Sequence, residues 1–358
     1  MEIIETFGTY LKFGAISILP IACWIMFFQR QNRERNKYVA LTFIAGMLSV
    51  LPIKAYEKFW NTSVWTIEHF NLFKYLADVV HWPTFPRVMA FVMVGAVVAA
   101  ALYLAAALLM FVIEVVSTRD NTLKVFKNKC VKISESPLLF VSMGALMGIS
   151  AYFLAEVFPA KVWFFIVVGM LEEFMKYLML RFSDDEKIRS VSDAISFAII
   201  VALGFAFVEN GIYLWRFWEN SGNAGVLNFS MFFLLRSTVS VIAHICFSAV
   251  IGYFYGKAHF SSEILQEEIM ARRHPIIQWM HRVLHLKGAV LFHEEQLMQG
   301  MFLAVALHAI FNSLLELGQI IYVFPMLFLM FAVVLKLLHK KSSQIKRGLW
   351  LQRIDVDD

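Results

Sequence analysis

Residues 162–180 read VWFFIVVGMLEEFMKYLML, and this stretch decides the fold class. Its length is close to the ~20 residues a helix needs to cross the hydrocarbon of a bilayer. Its middle carries Glu172, Glu173 and Lys176. A charged carboxylate at the centre of a spanning helix costs roughly 2.5–3.5 kcal/mol on insertion scales. Two side by side therefore point to function, since intramembrane ionisable groups mark sites by default. At 100° per residue, Lys176 falls between the two glutamates in projection, so all three share one helix face. A lysine there neutralises one carboxylate and leaves the other to act as a base or to hold a proton.

The rest of the chain has the same character. Of its 358 residues 59% are hydrophobic and 16% charged, against about 25% charged in soluble domains. The apolar residues fall in runs of about 20, which predicts an all-α, polytopic membrane bundle. Nine spans are expected: Gly8–Phe28, Tyr38–Ile53, Val88–Val116, Leu138–Phe158, Val162–Leu180, Ala194–Leu214, Met231–Tyr255, Leu297–Leu317 and Gly318–Leu338. The second is short and bounded by Pro52, and the last two are joined by almost nothing. The opening, with Glu2 and Glu5 and no small-residue cleavage site, reads as an anchor rather than a signal peptide. Cys23, Cys130 and Cys246 form no CxxC pair and suggest neither a disulfide framework nor a thiolate metal site. The net charge of +5 comes from basic residues between spans and is no nucleic-acid signal.

Lysine and arginine bias sets the orientation. Arg30, Arg33, Arg35 and Lys37, then Arg119, Lys124, Lys127, Lys129 and Lys132, then Arg181, Lys187 and Arg189, then Arg272, Arg273, Arg282 and Lys287, and finally Lys340, Lys341, Lys346 and Arg347 all fall on one side. The chain is thus expected with its N-terminus out and C-terminus in. In the connection 256–296, Ile276, Trp279, Met280, Val283 and Leu284 share a face, the pattern of an amphipathic helix on the membrane surface or of an ordinary packed linker. Gly144 and Gly148 form a GxxxG that permits close packing. Three regions result: N-terminal spans over 1–137, a core over 138–320 with the 256–296 insertion, and a last helix with a basic tail over 321–358.

Further polar residues sit in the apolar runs: Glu209 and Asn210, then Arg236, Ser240 and His244 at spacings of four, then His308 and Asn312. With this orientation Glu172, His244 and His308 share mid-bilayer depth, while Glu209 and Arg236 lie further out and suit a structural ion pair. A single intramembrane His or Asn is more often interhelical glue. The whole set at matched depth favours a site. His293-Glu294-Glu295 resembles the start of a zincin motif, but position 297 is Leu and no HExxH exists; these residues are expected in the connection before the eighth span.

Taken in order, Glu172-Glu173-x-x-Lys176, Phe205-x-x-x-Glu209-Asn210, Arg236 with His244 and Gly252, and His308-x-x-x-Asn312 resemble the PrsW family of intramembrane proteases. That family is grouped with the CAAX-prenyl endopeptidases and the Abi proteins. The resemblance covers roughly 138–320, and where the CAAX branch has a histidine in its second motif this chain has Glu209. It implies hydrolysis of a peptide bond in a membrane-anchored protein, such as an anti-sigma factor, in the cell membrane of a prokaryote. The mechanism expected is a Glu172-activated water assisted by His244, with His308 and Asn312 donating to the oxyanion and Glu173 paired with Lys176. The alternative is zinc held by Glu172, His244 and His308, a His₂Glu set with an open fourth position. Two other classes remain: a proton-coupled transporter, for which no inverted repeat is seen, and a non-catalytic scaffold or immunity protein.

Overall fold

The computed structural model describes residues 2–29, 36–61, 84–118, 160–184, 188–220, 226–261, 264 and 288–339. Every regular element among them is helical. In chain order these are α1 (Glu2–Gln29), α2 (Asn36–Asn61), α3 (Thr84–Thr118), α4 (Ala160–Asp184), α5 (Val191–Asn220), α6 (Val226–Leu235), a π-turn (Arg236–Ser240), α7 (Val241–His259), α8 (Gly288–Glu316) and α9 (Ile320–His339). Among the described residues, four helices are long and apolar enough to cross a membrane: Val191–Asn220, Leu227–His259, Leu291–Glu316 and Ile320–Leu338. Shorter apolar stretches, Lys12–Phe28, Val39–Leu51 and Ala99–Leu108, lie on α1, α2 and α3. The expected span Leu138–Phe158 with its GxxxG, the amphipathic face Ile276–Leu284, Cys130 and the basic tail lie outside the described residues.

Three boundaries differ from the sequence expectation. α2 does not stop at Ile53 beside Pro52 but runs to Asn61. Proline removes one backbone donor, and membrane helices tolerate it where neighbours satisfy the freed carbonyl; α1 and α9 likewise carry Pro20 and Pro325 inside their lengths. α8 begins at Gly288, nine residues before the apolar run. His293-Glu294-Glu295 therefore belongs to the helix, not to a connection. The polar start of α8 is packed rather than solvated: Glu294 and Gln296 are buried, and His293 Nδ1 donates to the Ala258 carbonyl at the end of α7, 2.8 Å away. The connection between α7 and α8 is correspondingly shorter than 256–296. Third, the seventh span is interrupted by the π-turn.

α5 is the centre of the bundle, packing most extensively on α7, α2 and α1, while α8 bridges α7 and α4. Small residues make this possible. A Cβ at Gly46 would overlap the Val201 carbonyl oxygen, and one at Gly204 would overlap that of Phe43, so α2 and α5 cross backbone to backbone. This is how membrane helices gain packing energy without a hydrophobic drive between them. α8 and α9 are joined at Gly318, whose φ is +68°. Gln319 N–H donates to Leu314 O at 2.8 Å and Gly318 N–H to Leu315 O at 3.1 Å, the paired bonds of a Schellman cap. α9 is largely exposed along Ile321, Phe328 and Leu329, as suits a lipid-facing helix.

Candidate active site

Four helices carry the polar residues into one buried cluster. Glu172, Glu173 and Lys176 from α4, Glu209 and Asn210 from α5, His244 from α7 and His308 from α8 are all buried. Glu173, fully sealed, accepts at Oε1 from Lys176 Nζ at 2.8 Å and from His308 Nδ1 at 2.8 Å. Its Oε2 is buried with no hydrogen-bond partner. The Lys176 ammonium also lies 2.9 Å from His244 Nδ1 and 4.2 Å from the centroid of the Phe205 ring. Glu209 Oε2 takes two partners, His244 Nε2 at 2.8 Å and Arg236 Nη2 at 2.9 Å. Arg236 Nε donates to Asn210 Oδ1 at 3.1 Å, and its guanidinium stacks 4.1 Å over Tyr213.

These bonds assign the imidazole tautomers by chemistry. An ammonium only donates, so His244 Nδ1 accepts and its Nε2–H donates to Glu209. A carboxylate only accepts, so His308 Nδ1–H donates to Glu173, and its Nε2 carries the lone pair. That nitrogen faces Glu172 Oε2 at 3.7 Å, beyond hydrogen-bond distance. His308 is held on both faces. It stacks on Phe247 at a centroid distance of 4.8 Å, and a Cβ at Gly169 would stand 3.2 Å from its Cγ. A carboxylate fixing the remote nitrogen while the near one points into a site is the usual arrangement around a working histidine.

The sequence expectations meet this geometry in part. Glu173 pairs with Lys176 and Glu209 with Arg236, as expected. Glu209, expected nearer the surface than His244, bonds directly to it. The π-turn is the reason. Residues eight apart on an α-helix are about 80° apart in projection, whereas one extra residue in a π-turn reduces this to about 20°. Arg236 and His244 thereby reach the same carboxylate oxygen. His244 is engaged at both nitrogens, by Lys176 and Glu209, and His308 presents an acceptor rather than a donor. Asn312 lies one turn beyond His308 and is part-exposed. Phe247 and Tyr213 went unread in the sequence, although Phe247 lies three residues after His244 and Tyr213 four after Glu209, the spacings at which helical side chains meet.

Among the described residues, one set offers ligand atoms for an ion: Glu172, Glu209 and His244, all within 4.8 Å of one another. The donor chemistry, two carboxylates and an imidazole, fits a zinc-type centre with an open position. Glu209 stands where the sequence expectation had His308, because His308 turns toward Glu173.

The family model described as PrsW family intramembrane metalloprotease matches residues 83–338. The chain belongs to the PrsW family. The match starts well before residue 138 and takes in α3 through α9. Protease PrsW of Halalkalibacterium halodurans is 26% identical over 193 residues, 51% of this chain and 72% of that protein. Protease PrsW of Geobacillus kaustophilus is 30% identical over 128 residues, 35% of this chain and 49% of that protein. Protease PrsW of Oceanobacillus iheyensis is 28% identical over 139 residues, 36% of this chain and 60% of that protein. No solved structure matches. Family membership makes the chain a peptidase, and its apolar helices make it an integral membrane protein.

Proposed function

We propose that this PrsW-family chain is an intramembrane endopeptidase that cuts a peptide bond in a membrane-anchored protein, with Glu172 and His308 flanking the reacting water. The observation that carries the reading is the sealed contact between Glu172, His308 and Glu173, drawn from α4 and α8 within the family match. Glu172 takes a proton from water, and the hydroxide adds to the scissile carbonyl carbon. Asn312, one turn outward, donates to the oxyanion. The tetrahedral intermediate then collapses with C–N cleavage, and Glu172 returns its proton to the departing amine. His308, held by Glu173, accepts a hydrogen bond at Nε2 from the same water and orients it. Positioned general bases contribute about 10²–10⁴-fold, and an oxyanion donor about 2.7–4 kcal/mol.

In a metal-assisted alternative, in which Glu172 serves as a ligand instead of as the base, Glu172, Glu209 and His244 would hold a metal ion such as zinc, which when bound acidifies water and polarises the carbonyl. To hold an ion His244 would give up the Nε2 proton it shares with Glu209; in the metal-free mechanism Lys176 and Arg236 have roles of their own. Lys176 neutralises Glu173 and sets the His244 tautomer, and Arg236 holds Glu209. The chain is further proposed to cross the bilayer nine times, N-terminus out, with spans before 138, a catalytic core over 138–320 and a basic cytoplasmic tail. A prokaryotic cell membrane, an anti-sigma-factor-like substrate and kinship with the CAAX-prenyl endopeptidases and Abi proteins belong to the same reading.

The test is cleavage of membrane-anchored reporters by the full chain and by Glu172→Ala, His308→Ala and Glu209→Ala proteins at equal expression. Loss of cleavage in the first two is expected. Equal cutting by all would refute the site. Elemental analysis, together with chelation and zinc re-addition, decides the metal. A protein free of metal and insensitive to chelator removes that part of the reading.

A further inference from the structure

The π-turn is what lets Arg236 and His244 share Glu209, and a π-turn displaces backbone carbonyls from their helical partners. Three carbonyls at this one accept from side chains. Thr238 Oγ1 donates to Leu234 O at 2.6 Å. Asn210 Nδ2 donates to Arg236 O at 3.4 Å. The third donor comes from far away in sequence: Trp24 Nε1 of α1 donates to Ser237 O at 3.3 Å. The indole is itself fixed, stacked on Phe28 at 6.3 Å between centroids and set edge-on to Phe331 of α9 at 6.0 Å. α1 lies before residue 83, where the family match begins.

We infer that Trp24 is a positioning residue for the site: α1 pins the π-turn through the indole N–H, and the π-turn keeps Arg236 on Glu209. The first helix is then a structural part of the catalytic apparatus rather than an anchor beside it. Each hydrogen bond lost from a carbonyl in a membrane interior is costly, so loss of the indole donor favours relaxation of the π-turn toward regular α-helix. That relaxation would rotate Arg236 by about 100°, one residue step, away from Glu209.

This inference rests on the protease reading for its catalytic half, so its test has two independent readouts. The first is amide exchange of the full-length protein in detergent, followed over the segment 236–245. The Trp analogue with sulfur in place of the indole N–H (benzothienylalanine) keeps the ring's shape and stacking at position 24. Faster exchange across the π-turn is expected, with α8 and α9 unchanged, and unchanged protection would overturn the inference whether or not the protein cuts anything. The second is a double-mutant cycle in reporter cleavage between the position-24 analogue and Arg236→Gln. A kcat loss of roughly tenfold with KM nearly constant is expected in the native background, shrinking to less than about twofold beside Arg236→Gln. Equal losses in both backgrounds would show a general packing role and overturn the coupling. A wild-type protein that cuts no reporter defeats the protease reading alone and leaves the exchange result to decide the contact.

Discussion

Lys176→Met tests the central claim that one ammonium ties α4 to α7. Methionine keeps most of the lysine stem's volume and removes the charge and three donors. In the native protein Nζ lies 2.8 Å from Glu173 Oε1, with the two side chains 1% and 0% exposed, and 2.9 Å from His244 Nδ1. At 2.8 Å the Coulomb attraction is about 6 kcal/mol with an effective dielectric of ~20, before desolvation is subtracted. Removing one partner of a buried pair typically costs about 3–5 kcal/mol, because the other charge stays buried and uncompensated. The stranded acceptor on His244 lies within that range rather than beyond it. The double variant Glu173→Gln/Lys176→Met removes both charges and should cost less than Lys176→Met alone, by about 1–3 kcal/mol. The assay is reversible unfolding in mixed detergent–SDS micelles, with the free energy of unfolding compared across the cycle. A Lys176→Met cost below about 1 kcal/mol, or single costs that simply add in the double variant, would refute the reasoning.

Other outcomes follow from the packing. Gly204→Ala should destabilise by about 1–3 kcal/mol in the same assay, because the new Cβ overlaps the Phe43 carbonyl and forces α2 from α5; Gly14→Ala, with only Phe207 at 3.9 Å, should be near neutral. Gly169→Ala should lower kcat in the reporter assay by at least about tenfold with little change in unfolding, since the atoms nearest the methyl are those of the His308 ring and a small misplacement of a working group is costly. A stability loss without a kcat loss would contradict that. Gly318→Ala should cost about 1–2 kcal/mol purely from its left-handed backbone, there being no atom within 4 Å of the new Cβ. Asparagine at the same position should recover part of that cost.

Much of this protein was legible in one dimension because a bilayer imposes a simple code. Runs of about 20 apolar residues must become helices, since no other segment satisfies its own backbone in lipid. Charges placed inside such runs must converge, because each alone is too costly. Hence Glu172, Glu173, Lys176, Glu209, Arg236, His244 and His308 all stood out as polar interruptions of apolar runs, although Glu209 and Arg236 were expected further out than the structure places them. The carboxylate partner of each imidazole was not legible in this way. Which carboxylate meets which imidazole depends on helix rotation, and a π-turn shifts rotation by about 100° without any mark in the residues Arg236–Ser240 that names it. The start of α8 was misplaced because burial of Glu294 and Gln296 against a neighbour outweighs their polarity, a tertiary effect that hydropathy cannot register. Spacing alone implied that polar groups from four helices meet inside a helical membrane protein. That His308 turns to Glu173 and His244 to Glu209 comes from the folded packing, since those contacts join residues 135 and 35 positions apart across helices whose rotation packing alone sets.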